Sequence, residues 1–562
     1  MDTQRLILSV VFFVSLFMLW DAWEKQGQPK PPVANAQGRG APTPTPSVPL
    51  QSASTAASVP TLGATGTAAV PAANEVPGGV SGVKAIIKTD LFVGAVSSTG
   101  GDLVHLELVK HRAPEDKTKN FVLMEVTRGE GGERREYIAQ TGLIGAGLPN
   151  HKTEFRLAPG TYQMAADAKT LELRLEAPEA DGLKIAKVYV FHRGSYQVDV
   201  GYEIQNMRPA PFSAHAYFQL TRDGKVPEAS MTNIATFTGP AIFTEAGKFQ
   251  KVEFSDVDKN KAKYVQKAQD GWIALVQHYF VAGWTPPGKD EREFYVRKVG
   301  ENLFSAGMIL PTEAIAPGRT ATITVPLYAG PQEQATLEKV APGFNLVVDY
   351  GWLTVIAAPI YWLLELIHRM VGNWGWSIIL LTVVIKAMFF PLSAASYKSM
   401  AKMKLVTPKL MKIKEQFASD RNRMNQEMME LYRKEKINPL GGCLPILVQV
   451  PVFIALYWVL LGSVEMRHAP WLLWIEDLSA MDPYYVLPLI MGVSMVIQAR
   501  LNPTPPDPIQ AKVMMAMPVV FTFMFLWFPS GLVLYWVINN VLSIAQQWQI
   551  TRMIEGGKQK AN

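Results

Sequence analysis

The chain has little with which to perform covalent chemistry. It holds one cysteine, Cys443, among 562 residues, so no intramolecular disulfide can form. Cys443 lies in an apolar run, where a thiol serves as a small hydrophobe. No G-x-S-x-G elbow and no G-x-x-x-x-G-K-[ST] phosphate loop occurs in the chain, which removes two common enzyme signatures. His105, His111, His151, His192, His215 and His278 show no metal-ligand spacing. The net charge is only +6, too small by itself to imply a nucleic-acid partner. These residues point to no cofactor, no metal and no small-molecule substrate.

What the chain has in excess is apolar surface, 48% of residues, and it is unevenly spread. Leu6 to Trp20 is apolar except for Ser9 and Ser15, with Arg5 before it and Asp21 and Glu24 after it. Basic-inside asymmetry puts the N-terminus in the cytoplasm and makes residues 1–23 a transmembrane anchor. The rival is a cleaved signal peptide. Ala34-Asn35-Ala36 resembles a cleavage site, but it lies too far beyond the apolar run for a usual signal. Residues 24–82, rich in Pro, Ala, Gly, Ser and Thr, read as a disordered tether.

From 83 to 340 the pattern alternates. Leu103 to Leu108, Leu171 to Leu175, Lys187 to Phe191 and Thr322 to Val325 read as half-buried strands, punctuated by Thr99-Gly100-Gly101, Asp223-Gly224 and Pro286-Pro287-Gly288. Many strands without a long helical pattern predict one large β-sandwich. With no catalytic signature, it reads as a docking or scaffold domain.

The rest of the chain predicts a polytopic α-helical membrane core. Ser396 to Asn438 carries eleven lysines and arginines against five acids, so it belongs in the cytoplasm. One crossing, about Trp376 to Leu392, then separates it from the exported sandwich. Phe344 to Met370 is therefore read as an amphipathic helix at the outer interface. Leu444 to Leu461, Tyr484 to Ile497, Val513 to Phe528 and Leu532 to about Ile550 complete a five-span core over 376–550, ahead of a basic tail at 551–562. The fold class is thus an N-terminal anchor plus a five-helix core with a large exported all-β sandwich. It has six spans and both termini inside. Trp474 and Trp527 fall near span ends, where interfacial aromatics belong.

Lys386 stands within the first core run, where an ionisable group is expensive and marks a functional site by default. None of the five runs contains Asp or Glu, so no acid in the core spans can pair with it. Thr382 shares its helical face. Gln449 and either Asn539 or Asn540 are polar groups on other spans able to line the same cavity, although each alone reads equally as an interhelical hydrogen bond. The lack of membrane acids also argues against an ion-coupled transporter and an aspartyl intramembrane protease. The basic segment 396–438 predicts a helical hairpin with Ser419-Asp420 as turn and cap. Its Met400, Met403, Met424 and Met428, with Lys402 and Lys404, read in two ways. They form either a packed helix pair with a solvated basic face, or an adaptable surface for apolar segments near anionic lipid or ribosomal RNA.

Tyr397-Lys-Ser-Met-Ala-Lys-Met, Gln426-Glu-Met-Met, Asn438-Pro-Leu-Gly-Gly-Cys-Leu-Pro445, Asp482-Pro-Tyr-Tyr485 and Leu526-Trp-Phe-Pro-Ser-Gly-Leu-Val-Leu-Tyr535 resemble the YidC/Oxa/Alb family of membrane protein insertases. The resemblance covers about Leu346 to the end. The long sandwich, with Asp270-Gly-Trp-Ile-Ala-Leu-Val-Gln-His-Tyr-Phe280, resembles the Gram-negative form. The resemblance implies a bacterial inner-membrane insertase and chaperone with a hydrophilic groove open to cytoplasm and lipid. The implied partners are nascent membrane proteins, the Sec translocon, the ribosome and membrane lipids. It implies that Lys386 takes the place of a usual arginine, and that Trp536 takes the second place of a more familiar Tyr-Tyr pair in the groove wall.

Overall fold

The computed structural model describes residues 82–559 except 115, 129–133, 226–235, 418–419, 436–443 and 503–507. The anchor 1–23, the tether up to residue 81, Ser419 and the Asn438 to Cys443 part of the family motif lie outside the described residues. So do the side chains of Lys404 and of residues 444–448.

Among the described residues, eighteen strands form a ten-stranded and an eight-stranded sheet. The alternation read from the sequence is the packing pattern. In Thr170–Glu176, Leu173 and Leu175 are buried while Glu172 and Arg174 are exposed. Lys187 to Phe191 lies within Leu183–His192, and Thr322 to Val325 within Thr320–Pro331. Gly100 and Gly101, both at positive φ, turn Phe92–Ser97 into Leu103–Arg112. The two inner faces share one core that includes Trp272, Trp284, Tyr202 and Phe218. Lys187 crosses this core fully buried. It donates to the Gly100 carbonyl at 3.0 Å and stands 3.7 Å from the Asp102 carboxylate. A buried charge of this kind persists only when paired and hydrogen-bonded.

The sandwich passes into the helices through a fixed connector. Phe344 is buried edge-on against Trp272 and Tyr328, and Trp272 donates to the Pro342 carbonyl at 3.0 Å. Ten helices are described: α1 (Phe254–Asp258), α2 (Gln334–Val340), α3 (Thr354–Val371), α4 (Trp374–Met388), α5 (Phe390–Gln416), α6 (Arg421–Lys434), α7 (Leu444–Gly462), α8 (Val486–Leu501), α9 (Pro508–Phe525) and α10 (Ser530–Gln559).

The segment expected as one interfacial helix, 344–370, begins as two short 3-10 turns and becomes α-helical only at Thr354. In α3, Ala357, Ile360, Tyr361, Leu364 and Ile367 face inward, while Val355, Trp362 and Met370 face out. The helix packs against α4 and α7, and contacts before, within and after it reach the stretch 462–470. Tyr350, before it, lies against Gly462; Tyr361 donates to Glu465 at 2.7 Å; Asn373, after it, donates to the Pro470 carbonyl at 3.0 Å.

The crossing expected as Trp376 to Leu392 is broken. α4 stops at Met388, and α5 leaves Phe389 at 66° to it. Pro391 gives the reason: in a continuing helix its ring clashes with the carbonyl four residues back and it offers no N–H. The first arm of the hairpin accordingly starts at Phe390 rather than near Tyr397. Asp420 caps the second arm, accepting from the Asn422 and Arg423 amides at 3.1 Å.

By length and composition, among the described residues, only α3 is long and apolar enough to span a bilayer, or two segments if the bent α4–α5 pair counts as one. Gln449–Gly462, Val486–Leu501 and Ala511–Phe525 are apolar but shorter, below the roughly 20 residues that a 30 Å core asks for.

The sandwich sits directly on the C-terminal end of α7. The Arg467 guanidinium lies 5.3 Å from the Phe121 ring and 5.5 Å from that of Phe280, and donates to the Arg112 carbonyl at 2.6 Å. His278 reaches the Leu461 carbonyl at 2.9 Å.

Candidate functional site

The site is built from helix faces. Thr382 and Lys386 stand one turn apart on α4; Tyr535, Asn539 and Ser543 stand one turn apart on α10; Gln449 looks across from α7. Thr382, Ile385, Lys386, Phe389, Leu392, Ser393, Gln449, Val452, Tyr535 and Asn539 line one cavity. The cavity is narrow, with room for about two waters.

Lys386 is 7% exposed. Its ammonium donates to Ser543 Oγ at 2.7 Å, and no acidic neighbour acts on it among the described residues. Gln449 donates its amide to Asn539 Oδ1, closing the opposite wall. Thr382 spends its proton on the Ile378 carbonyl at 2.6 Å, so it presents only lone pairs to the cavity. The arrangement is an unneutralised positive charge beside amides and hydroxyls, enclosed by apolar helix surface. It contains no nucleophile–base pair. Among the described residues no cluster of His, Cys, Asp or Glu is fit to hold a metal.

Of the residues singled out in the sequence, Lys386, Thr382, Gln449 and Asn539 meet in this cavity. Asn540 does not: it donates to Ser494 Oγ of α8 at 3.0 Å and serves helix packing. Trp536 does not line the cavity either. Its ring packs edge-on against Phe453 at 4.8 Å and Phe525 at 5.7 Å, and its place in the wall belongs to Tyr535. The reason is rotational, because adjacent helical residues point about 100° apart. Tyr535, the first of the aromatic pair that the resemblance put in the wall, does line the cavity. Ser543 was missed from the sequence; its spacing of four residues from Asn539 was the available signal.

The first hairpin arm lends Leu392 and Ser393 to the cavity, while its methionines lie outside the lining. Met400, Met403, Met424, Met428 and Lys402 are half-buried, while Met411 and Met429 are exposed. Trp474 donates to Asp482 Oδ1 at 2.9 Å, and the same carboxylate accepts the Tyr484 and Leu487 amides, fixing the start of α8. Trp527 packs edge-on against Phe523 at 4.8 Å.

Residues 84–363 match the family described as YidC periplasmic domain, and residues 366–559 the family described as 60Kd inner membrane protein. The chain is 60% identical to the membrane protein insertase YidC of Aromatoleum aromaticum, covering 100% of both chains. It is 55% identical to that of Dechloromonas aromatica, covering 100% of this chain and 99% of the other. Among solved structures, an active YidC insertase with its first transmembrane domain resolved matches 82% of this chain and 91% of its own at 18% identity, with a TM-score of 0.37. A galactose mutarotase related enzyme from Lactobacillus acidophilus matches 44% of this chain and 97% of its own at 7% identity, with a TM-score of 0.29. Scores this low carry no argument about activity. The two family matches together span nearly all the described chain, and with near full-length relatives at this identity, the chain belongs to the YidC family of inner-membrane protein insertases, which act without enzymatic chemistry.

Proposed function

We propose that the cavity around Lys386 is the closed form of a hydrophilic groove that receives nascent membrane proteins from the cytoplasmic side and releases their spans into lipid. The observation that carries this reading is Lys386 itself, a buried ammonium bonded to one hydroxyl and to no acid among the described residues. A lone cation attracts the polar or acidic exported tail of a passing chain, and apolar walls exclude competing ions. The narrow cavity admits a chain only when its walls part, and the bend at Phe389 is where α5 can swing from α4. The process is passive: burying the substrate's apolar span yields roughly 25 cal/mol per Å².

The topology that goes with this reading has six spans and both termini in the cytoplasm. The anchor is 1–23, the tether 24–82, the periplasmic sandwich 83–340, the interfacial helix 344–370 and the five-span core 376–550, with the hairpin 396–438 and tail 551–562 inside. An interfacial α3 is supported by its contacts at both ends with the single stretch 462–470. The Met-rich hairpin offers a surface to apolar segments, and its lysines to anionic lipid or the ribosome. The same groove serves chains handed over by the Sec translocon as well as chains arriving alone.

A photo-crosslinking side chain at Gln449 should capture the exported tail of a stalled nascent chain, and one at Trp536 should not. Capture from Trp536 with none from Gln449 would place the path on the other face of α10 and end the groove reading.

A further inference from the structure

Side chains from three helices converge on one hydroxyl. Ser543, 3% exposed, donates to the Asn539 carbonyl one turn back at 2.7 Å. That leaves its oxygen lone pairs for others. Lys386 of α4 donates into one at 2.7 Å, and Tyr397 of α5 lies beside the same side chain. α4 and α5 are the two limbs of the 66° bend. Beyond it they diverge, and each packs against α10. The node at Ser543 thus joins both limbs to a third helix just below the cavity.

We propose that Ser543 is a positioning residue for insertion: it holds the Lys386 ammonium at the cavity wall. The proposal rests on the reading that the Lys386 charge receives substrate. Its logic is the physics of lysine. The ammonium ends a flexible four-carbon stem that offers no fixed fork of donors. One fixed acceptor places it; a carboxylate would place it but cancel its charge. A hydroxyl already committed to a backbone carbonyl accepts one N–H and leaves two for a ligand.

The test compares Ser543→Ala, Ser543→Thr and Lys386→Ala in the full chain. Insertion of matched substrates with acidic or neutral exported tails is read per folded molecule. Ser543→Ala should lower the acidic-to-neutral ratio roughly three- to tenfold, about the size of one ordinary hydrogen bond, with abundance unchanged. Ser543→Thr, which keeps the hydroxyl, should restore it. Should Lys386→Ala lower the ratio while Ser543→Ala leaves it intact, the positioning role falls and the groove reading stands. An equal loss for both tails in Ser543→Ala, following a loss of abundance, makes Ser543 a packing residue only and overturns the proposal. If Lys386→Ala itself leaves the ratio unchanged, the electrostatic reading fails and takes this proposal with it.

Discussion

Replacing Lys386 with Glu should nearly abolish insertion of substrates whose exported tails carry acids, while Lys386→Arg retains function. Lys386→Ala should fall between, losing about 1–2 kcal/mol on acidic tails, roughly five- to thirtyfold in rate, and much less on neutral ones. The cause is the setting of the charge. It is enclosed by apolar side chains, held by Ser543 and opposed by no acid among the described residues. Charges interact more strongly there than in water, so reversing the sign turns attraction into repulsion in the place where a tail must pause. Strongly hydrophobic spans should insert regardless, because their burial in lipid outweighs the tail. Measuring protein abundance beside insertion separates this from a packing role. Were Lys386 only a helix-packing residue, all three substitutions would lower abundance and the two tail classes would suffer alike.

The second large effect is expected at the seam between sandwich and core. Glu465 accepts the Tyr361 hydroxyl through Oε1, while its Oε2 is enclosed without a hydrogen-bond partner among the described residues. Burial pushes its carboxyl up to about 7, helped by the nearby carboxylates of Glu333 and Glu365 and opposed by the Tyr361 hydrogen bond. A raised acid is protonated in the folded protein over a range where the unfolded chain has already lost the proton. Its contribution to stability is therefore full below about 4.5 and is lost as pH rises through about 7. Glu465→Gln keeps an acceptor for Tyr361 and removes the ionisation. Amides of α3 should then be more protected from hydrogen exchange at pH 8 than in the unmodified chain, by about 2–3 kcal/mol, and equally protected near pH 4. A variant whose protection falls with pH as steeply as the unmodified chain's would show that another group governs the seam.

The sandwich was legible because strand alternation is local: Leu171, Leu173 and Leu175 declare their face without reference to anything distant. The cavity was half legible. Lys386 stands out by cost alone, and Thr382 follows by spacing. The motif named Tyr535 and Trp536 together without fixing the rotation of their helix, and of the two only Tyr535 lines the cavity. Ser543 is an ordinary serine in sequence and acquires meaning only when α4 and α5 arrive beside it. The loop from Ser463 to Asp482 holds four acids, and their number conceals their use. Asp482 is fully buried as a cap, and Glu465 lies against Tyr361. The break at Phe389 was written in Pro391, but an apolar run reads straight through a proline when only hydropathy is counted.

The most direct test of the groove asks from which side water reaches its wall. In a chain with Cys443→Ser, a cysteine at Gln449 should react with an impermeant thiol reagent supplied at the cytoplasmic face and stay unlabelled when the reagent is outside. A cysteine at Gln416 should behave as Gln449 does, and one at Ser479 should label only from outside. Labelling of Gln449 from outside, or from neither side while both controls behave, would contradict a hydrophilic groove open to the cytoplasm.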